Sequence, residues 1–183
     1  RHISFIIILF LGISVTKSQE PQVMEFYHKG YENVRKNEFA RAIDNFTEAI
    51  RLDSGFHQAY TGRGNAYMRL QQLDNALSDY STALALKPDS PGNYINLSSV
   101  YSVKKEYEKS LEYLRKAEEV DPKFPYIYSA RGSIYSQMKE FQKALDSYSK
   151  AIEIKPLSQF YTSRCWTNYN FEKYDAAILD CSE

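Results

Sequence analysis

The sequence predicts an all-α fold, an α-solenoid of stacked antiparallel helical hairpins. Tyr67, Tyr101 and Tyr135 recur at intervals of 34 residues, and a fixed period of this length is typical of stacked supersecondary units. Alanine and proline keep the same step, at Ala83, Ala117 and Ala151 and at Pro88, Pro122 and Pro156. Apolar side chains within each period follow helical spacing, and glycine is scarce, with 7 residues, so we expect helices throughout.

The first eighteen residues differ from the rest of the chain. Arg1 and His2 form a basic start, residues 3–15 form an apolar run, and small residues precede a cleavage point before Gln19. This layout is that of a secretory signal peptide, and the run is shorter than the about 20 apolar residues of a membrane span. We expect a signal peptide over 1–18, a linker over 19–22 and a periplasmic or secreted mature protein. A membrane anchor at the N-terminus is the alternative.

Five units of two amphipathic helices follow the linker, at about 23–56, 57–90, 91–124, 125–157 and, incomplete, 158–183. In the second unit, Gly64 and Tyr67 lie on one stripe of the first helix, and Ala76 and Tyr80 lie on one stripe of the second. Pro88 ends the second helix. The small residues should let the paired helices approach closely, and the tyrosines should fill the wider gaps between hairpins.

The other units vary this pattern. The first unit has Asn33 in place of a tyrosine, as expected of a terminal unit with one side in solvent. The third unit places Ser98 and Ser110 where the second has its small residues. Residue 1 is not Met and no stop signal follows the last helix, so we expect a fragment of a longer protein.

These residues resemble the tetratricopeptide repeat. The pattern of that family is an aromatic residue, Leu-Gly and Tyr in the first helix, then Ala, Phe, Ala and Pro in the second. The second unit follows it with Tyr60, Gly64, Tyr67, Ala76, Tyr80, Ala83 and Pro88. The resemblance covers about residues 23–183. It implies a right-handed superhelix whose members usually hold other proteins and seldom carry out chemistry.

Charge and motifs argue against several other function classes. Basic and acidic residues number 23 each, so no net field attracts nucleic acid or an anionic membrane. His28 has Glu25 and Glu32 near it on the helix but no second His or Cys, which argues against a metal site. The segment 62–64 is glycine-rich but lies within a helix, so it is not a phosphate-binding loop. We predict no enzymatic activity, no cofactor and no metal, no nucleic-acid partner, and no membrane contact beyond the signal segment.

The concave face, lined by the first helix of each unit, is the expected binding surface. The side chains expected in this groove are Tyr27, Tyr31, Thr61, Asn65, Arg69, Ile95, Ser99, Ser133, Gln137, Trp166, Tyr169 and Asn170. They make a hydroxyl-rich, nearly uncharged groove with aromatics at both ends, which suits an extended peptide. Family members that grip the acidic tails of heat-shock chaperones carry Lys, Asn and Arg here. Only Asn65 matches, so we do not expect that function.

The last unit leaves two alternatives open. Trp166 is either the residue that dominates binding energy in the groove or packs on a following helix. Cys165 and Cys181 point into the same hairpin, as two small buried thiols, the commoner case, or as a disulfide, which an oxidising compartment allows.

From these observations we predict a non-enzymatic scaffold of the cell envelope or secreted space, which binds a protein or peptide segment in its concave groove. The alternative is the ligand-sensing region of a larger envelope signalling protein, with an effector domain beyond Glu183. Further helical units in the full-length gene would favour the scaffold, and a membrane span followed by an effector domain would favour the sensor.

Deletion of residues 1–18 should abolish export, because the basic start and the short apolar run together form the targeting signal. N-terminal sequencing of the exported protein should give a chain that begins near Gln19. An exported protein that keeps residues 3–15 embedded in the membrane would contradict cleavage and support the anchor.

Overall fold

Residues 20–183 are described by the computed structural model, and they form ten α-helices without a strand. In order these are α1 (Glu20–Arg35), α2 (Phe39–Leu52), α3 (His57–Arg69), α4 (Leu73–Leu86), α5 (Pro91–Val103), α6 (Tyr107–Val120), α7 (Pro125–Gln137), α8 (Phe141–Ile154), α9 (Ser158–Asn170) and α10 (Tyr174–Cys181). The predicted signal peptide lies outside the described residues. Within them, no helix is both long and apolar enough to span a membrane. Residues 20–22, predicted as linker, belong to α1, which begins at Glu20.

Consecutive helices pack in pairs, α1 with α2 and so on to α9 with α10, and each pair packs on the next. The predicted all-α solenoid of helical hairpins is therefore confirmed. Among the odd-numbered helices, α1 also contacts α3, α5 contacts α7, and α7 contacts α9. These first helices of each pair thus line the inner, concave side of the array.

The turn inside each hairpin is the same five times. The second residue after each first helix has a left-handed backbone, with φ between 57° and 62°, at Asn37, Gln71, Lys105, Lys139 and Glu172. The next backbone N–H bonds back to the helix, as when Gln72 N donates to Tyr67 O at 2.9 Å. This bond closes the exposed end of the helix, and the chain reverses within three residues.

The two helices of a hairpin meet where a small residue faces a ring. A Cβ atom added to Gly64 would lie 2.7 Å from the Tyr80 ring, and one added to Gly132 would lie 2.9 Å from the Tyr148 ring. Any side chain there would push the helices apart, so glycine is required by the close approach. The predicted role of the small residues is thus visible in the contacts.

The recurrent tyrosines are less uniformly buried than the sequence suggested. Tyr80, Tyr128 and Tyr148 are buried, but Tyr101 is only half-buried. Its ring stacks on the Tyr113 ring, with the ring centroids 5.3 Å apart. Tyr101 therefore packs at the partly exposed edge of the core and not in its centre.

Truncation of Leu114, a fully buried residue in the central hairpin, should lower the free energy of unfolding substantially. We expect Leu114→Ala to cost about 2 to 5 kcal/mol, the range for a large aliphatic residue in a well-packed core. Denaturant unfolding measures the difference. Leu86→Ala is the matched control, because Leu86 is exposed, and should change stability by less than about 0.5 kcal/mol. Equal losses in both variants would contradict the packing described.

Candidate functional site

The N-terminal part of the concave side contains a cavity of about 240 Å³ between α1, α3 and α5. Its lining residues are Tyr27, Tyr31, His57, Gln58, Thr61, Ser90, Gly92, Asn93 and Asn96. The structure thus brings the predicted Tyr27, Tyr31 and Thr61 together. The sequence pattern did not single out the amides of Gln58, Asn93 and Asn96. Their place on first helices was the available signal, and Asn93 lies where the two neighbouring units have Ala59 and Ile127.

The polar groups of this cavity are held in place by the surrounding helices. Asn93 is buried, and its Nδ2 donates to Ala83 O at 3.2 Å and Lys87 O at 3.0 Å, which closes the end of α4. The Tyr27 and Tyr31 rings meet edge to face at 4.9 Å.

The cavity is electrically neutral at neutral pH. Burial raises the pKa of Tyr31 far above its usual value, so its hydroxyl remains protonated. Burial, reinforced by the charge of Lys87, lowers the pKa of His57 below its usual value, so the imidazole is mostly uncharged. The cavity therefore offers neutral hydrogen-bonding groups and aromatic surface.

A second cavity, of about 210 Å³, lies between α5 and α7. Its lining residues are Ser98, Ser99, Ser102, Val103, Ala130, Ser133 and Ile134. Ser99 and Ser133, both predicted, therefore meet here. Gln137 lies beside them, because its Nε2 donates to Ser102 Oγ at 3.1 Å.

Three other predicted groove residues are engaged in contacts of their own. Asn65 Oδ1 accepts a 2.6 Å hydrogen bond from the Tyr80 hydroxyl. The Arg69 guanidinium lies 4.6 Å from the centroid of the Phe39 ring. Ile95 is half-buried and packs against the buried cluster of α6 and α7. These three do not line the two cavities just described.

The C-terminal hairpin carries a third and larger cavity, of about 520 Å³. It is lined by Cys165, Trp166, Tyr169, Tyr174, Ala177, Ile178 and Cys181. We call this surface the terminal face. Trp166 is 62% exposed and Tyr169 is 56% exposed, with their rings 6.1 Å apart. The structure thus groups these two aromatics with α10 and places them in neither of the first two cavities. Asn170 is exposed at the end of α9.

A disulfide joins Cys165 and Cys181, whose Cα atoms are 5.5 Å apart. Of the two alternatives left open by the sequence, the structure contains the disulfide. Cys165 is buried, but Cys181 is exposed and does not point wholly inward as expected. The bond takes the place of the glycine–tyrosine contact that Gly132 and Tyr148 make in the preceding hairpin.

Metal-binding groups are not assembled in the described part of the chain. Within residues 20–183, no three His, Cys, Asp or Glu side chains come together as metal ligands. His28 lies next to Tyr27, with the ring centroids 5.7 Å apart.

Reduction of the disulfide should weaken the last hairpin. The bond closes a loop with a sequence separation of 16, for which chain entropy predicts a stabilisation of about 3 kcal/mol. Hydrogen exchange at Ala177 should therefore speed up on addition of a dithiol. The double variant Cys165→Ala, Cys181→Ala is the control, and its exchange should not respond. Unchanged exchange in the reduced parent protein would show that the disulfide does not stabilise α10.

Comparisons with known proteins give the family. One model of the tetratricopeptide repeat matches residues 57–90 and 125–156, and a second model of the same repeat matches 91–124. The matches run together over residues 57–156, more than half of the chain. No curated protein matches the chain in sequence.

Solved structures share the fold. TTC0263, a thermophilic tetratricopeptide repeat protein of Thermus thermophilus, matches with a TM-score of 0.79 and 20% identity over 86% of this chain and 87% of its own. PilF of Pseudomonas aeruginosa matches with a TM-score of 0.75 and 17% identity, over 90% of this chain and 75% of its own. YrrB, described as having an unusual peptide-binding site, matches with a TM-score of 0.58 and 20% identity, over 91% of this chain and 88% of its own. With its repeating hairpins and these matches, the chain belongs to the tetratricopeptide repeat family.

Proposed function

We propose that the protein is a non-enzymatic scaffold that holds an extended peptide segment of a protein partner in its concave groove. A role in protein–protein interaction is what the tetratricopeptide fold suggests. The binding of an extended peptide is supported by the two cavities on the inner side of the array. The first is lined by hydroxyl, amide, imidazole and aromatic groups, the second by serine hydroxyls and aliphatic side chains, and neither lining contains a carboxylate.

An extended peptide matches this lining chemically. Its backbone presents both N–H donors and C=O acceptors, and serine, threonine, asparagine and glutamine side chains can serve either. Asn96 and Thr61 can do so in the first cavity, and Ser99 and Ser133 in the second. Recognition of this kind depends on neutral groups, so the partner segment should be polar but carry little charge.

Cavity size favours a peptide over a small molecule. Pockets that enclose a drug-sized ligand measure about 300 to 1,000 Å³. The two concave cavities measure about 240 and 210 Å³, which suits single side chains of a segment that runs across both. The peptide-binding site in the description of YrrB supports this use of the fold.

We place this scaffold in the cell envelope or secreted space. The signal-peptide pattern of residues 1–18 supports export. The disulfide between Cys165 and Cys181 supports it independently, because such bonds persist in oxidising compartments and are rare in the cytosol.

A charge placed in the second cavity should block peptide binding. Ser99 is exposed and its Oγ bonds only locally, to Ile95 O at 2.9 Å, so Ser99→Lys should leave the fold intact. A lysine here would fill the cavity and bring a charge next to the bound segment. We expect the affinity for peptides selected from a displayed random library to fall at least about tenfold, equivalent to about 1.4 kcal/mol.

Ser78→Lys is the matched control, because Ser78 is an exposed serine on α4, the outer helix of its hairpin. This variant should bind the same peptides with unchanged affinity. Both variants should keep the circular dichroism of the parent. Equal affinity of Ser99→Lys and the parent protein would refute binding in the concave groove.

A further inference from the structure

Asn93 is the buried member of the first concave cavity. It is 5% exposed, whereas the other residues that line the cavity are half-buried or exposed. The corresponding residues of the neighbouring units, 34 positions away on either side, are Ala59 and Ile127, and both are buried in apolar clusters. The third unit thus buries a carboxamide where its neighbours bury aliphatic side chains. A buried polar group costs free energy unless hydrogen bonds compensate for the lost water.

Hydrogen bonds to α4 hold the Asn93 side chain in one orientation. Its Nδ2 donates to Ala83 O at 3.2 Å and to Lys87 O at 3.0 Å. A carboxamide nitrogen has two hydrogens, and carbonyl oxygens can only accept, so both hydrogens are used and the nitrogen must face α4. The oxygen Oδ1 is therefore turned away from α4, and it cannot exchange places with the nitrogen.

The Oδ1 atom of Asn93 faces the cavity as an acceptor. Within residues 20–183, no N–H or O–H group donates to this atom, although every side-chain nitrogen or oxygen there that is shielded from solvent has a hydrogen-bond partner. Oδ1 is thus accessible, and it is accessible from the cavity that Asn93 lines. A ligand that displaces water from this cavity must supply a donor to Oδ1, because an unpaired buried acceptor is costly.

The end of α4 does not itself require Asn93. The helices α2 and α8 end with the same backbone bond as α4, from Asp53 N to Ala49 O at 2.9 Å and from Lys155 N to Ala151 O at 3.0 Å. In the described part of the chain, no side chain donates to the last carbonyl groups of these two helices. The feature that Asn93 adds to the third unit is therefore the fixed acceptor.

We propose that Asn93 determines the specificity of the first cavity, which accepts a carboxamide side chain, asparagine or glutamine, of the bound segment. This inference rests on the proposed function, the binding of an extended segment in the concave groove. One N–H of the ligand carboxamide donates to Asn93 Oδ1. Its carbonyl oxygen accepts from the side-chain amide of Gln58 or Asn96, which line the same cavity.

Other side chains fit this cavity less well. A carboxylate or an aliphatic group has no hydrogen to donate, so either would leave Oδ1 unpaired. A lysine or arginine could donate, but the cavity lining contains no carboxylate to balance a charge that has lost its water. A serine hydroxyl is small for a cavity of about 240 Å³. A carboxamide is uncharged and planar, and its flat face can pack against the rings of Tyr27 and Tyr31, which also line the cavity.

A double-mutant cycle tests the proposed contact. Peptides selected on the parent protein from a displayed random library should share an asparagine or glutamine at one position. In one such peptide, this residue is replaced by leucine or methionine, respectively, which keep the size but remove the donor. We expect the affinity for the parent to fall at least about tenfold, because Oδ1 is left unpaired. The protein variant Asn93→Leu lacks the acceptor, so there the same peptide exchange should change the affinity by less than about twofold.

Asn75→Leu is the matched control, because Asn75 is an exposed asparagine on α4, an outer helix. This variant should keep the full loss of affinity that the peptide exchange causes in the parent. Asn93→Leu should keep the circular dichroism of the parent, because the neighbouring units carry aliphatic residues at this position. If its circular dichroism changes, Asn93→Ala replaces it in the cycle, since Ala59 occupies this position in the second unit.

Two outcomes would overturn the specificity but leave the groove in place. The first is a set of selected peptides that Ser99→Lys weakens but that share no carboxamide residue. The second is a peptide exchange that costs the same affinity in Asn93→Leu as in the parent, which would place the carboxamide away from Asn93. Failure to select any peptide that Ser99→Lys weakens would instead overturn the proposed function, and this inference with it.

Discussion

The close contact between the two helices of each hairpin is the constraint on which the rest of the structure depends. Gly64 approaches Tyr80, and Gly132 approaches Tyr148, so closely that no Cβ could be accommodated. The third hairpin solves the same problem differently, with the buried hydroxyls of Ser98 and Ser110 2.8 Å apart. Because a close helix pair recurs in successive units, each hairpin can pack on the next, and the units stack along the array.

Neighbouring units are further tied together by half-buried arginines on the first helices. Arg63 donates two 2.8 Å hydrogen bonds to Asp79 in its own hairpin and one of 3.0 Å to Thr47 in the preceding one. Arg164 repeats this arrangement with Asp180 and Ser149. A planar guanidinium that binds two helices at once fixes their relative rotation. These bonds therefore contribute more to the orientation of the units than to their stability.

The repeated contacts leave other positions free to differ between units. On the concave side these carry hydroxyls and amides, and two small cavities form between the first helices. On the terminal face, Trp166, Tyr169 and Ile178 are exposed around an apolar cavity. The disulfide joins α9 to α10 beside this cavity, where the last hairpin lacks the glycine–ring contact.

The sequence by itself determined the fold, because the fold follows from a local pattern: helical spacing within a unit and a fixed step between units. It also predicted Ser99 and Ser133 for the groove, and both line one cavity between α5 and α7. Only the tertiary structure decided that Asn93 and Asn96 join the first cavity, that Tyr101 stays half-buried, and that Trp166 belongs with α10. A cavity is formed by side chains of separate helices, so its composition depends on the rotation and spacing of those helices, which no single helical pattern contains.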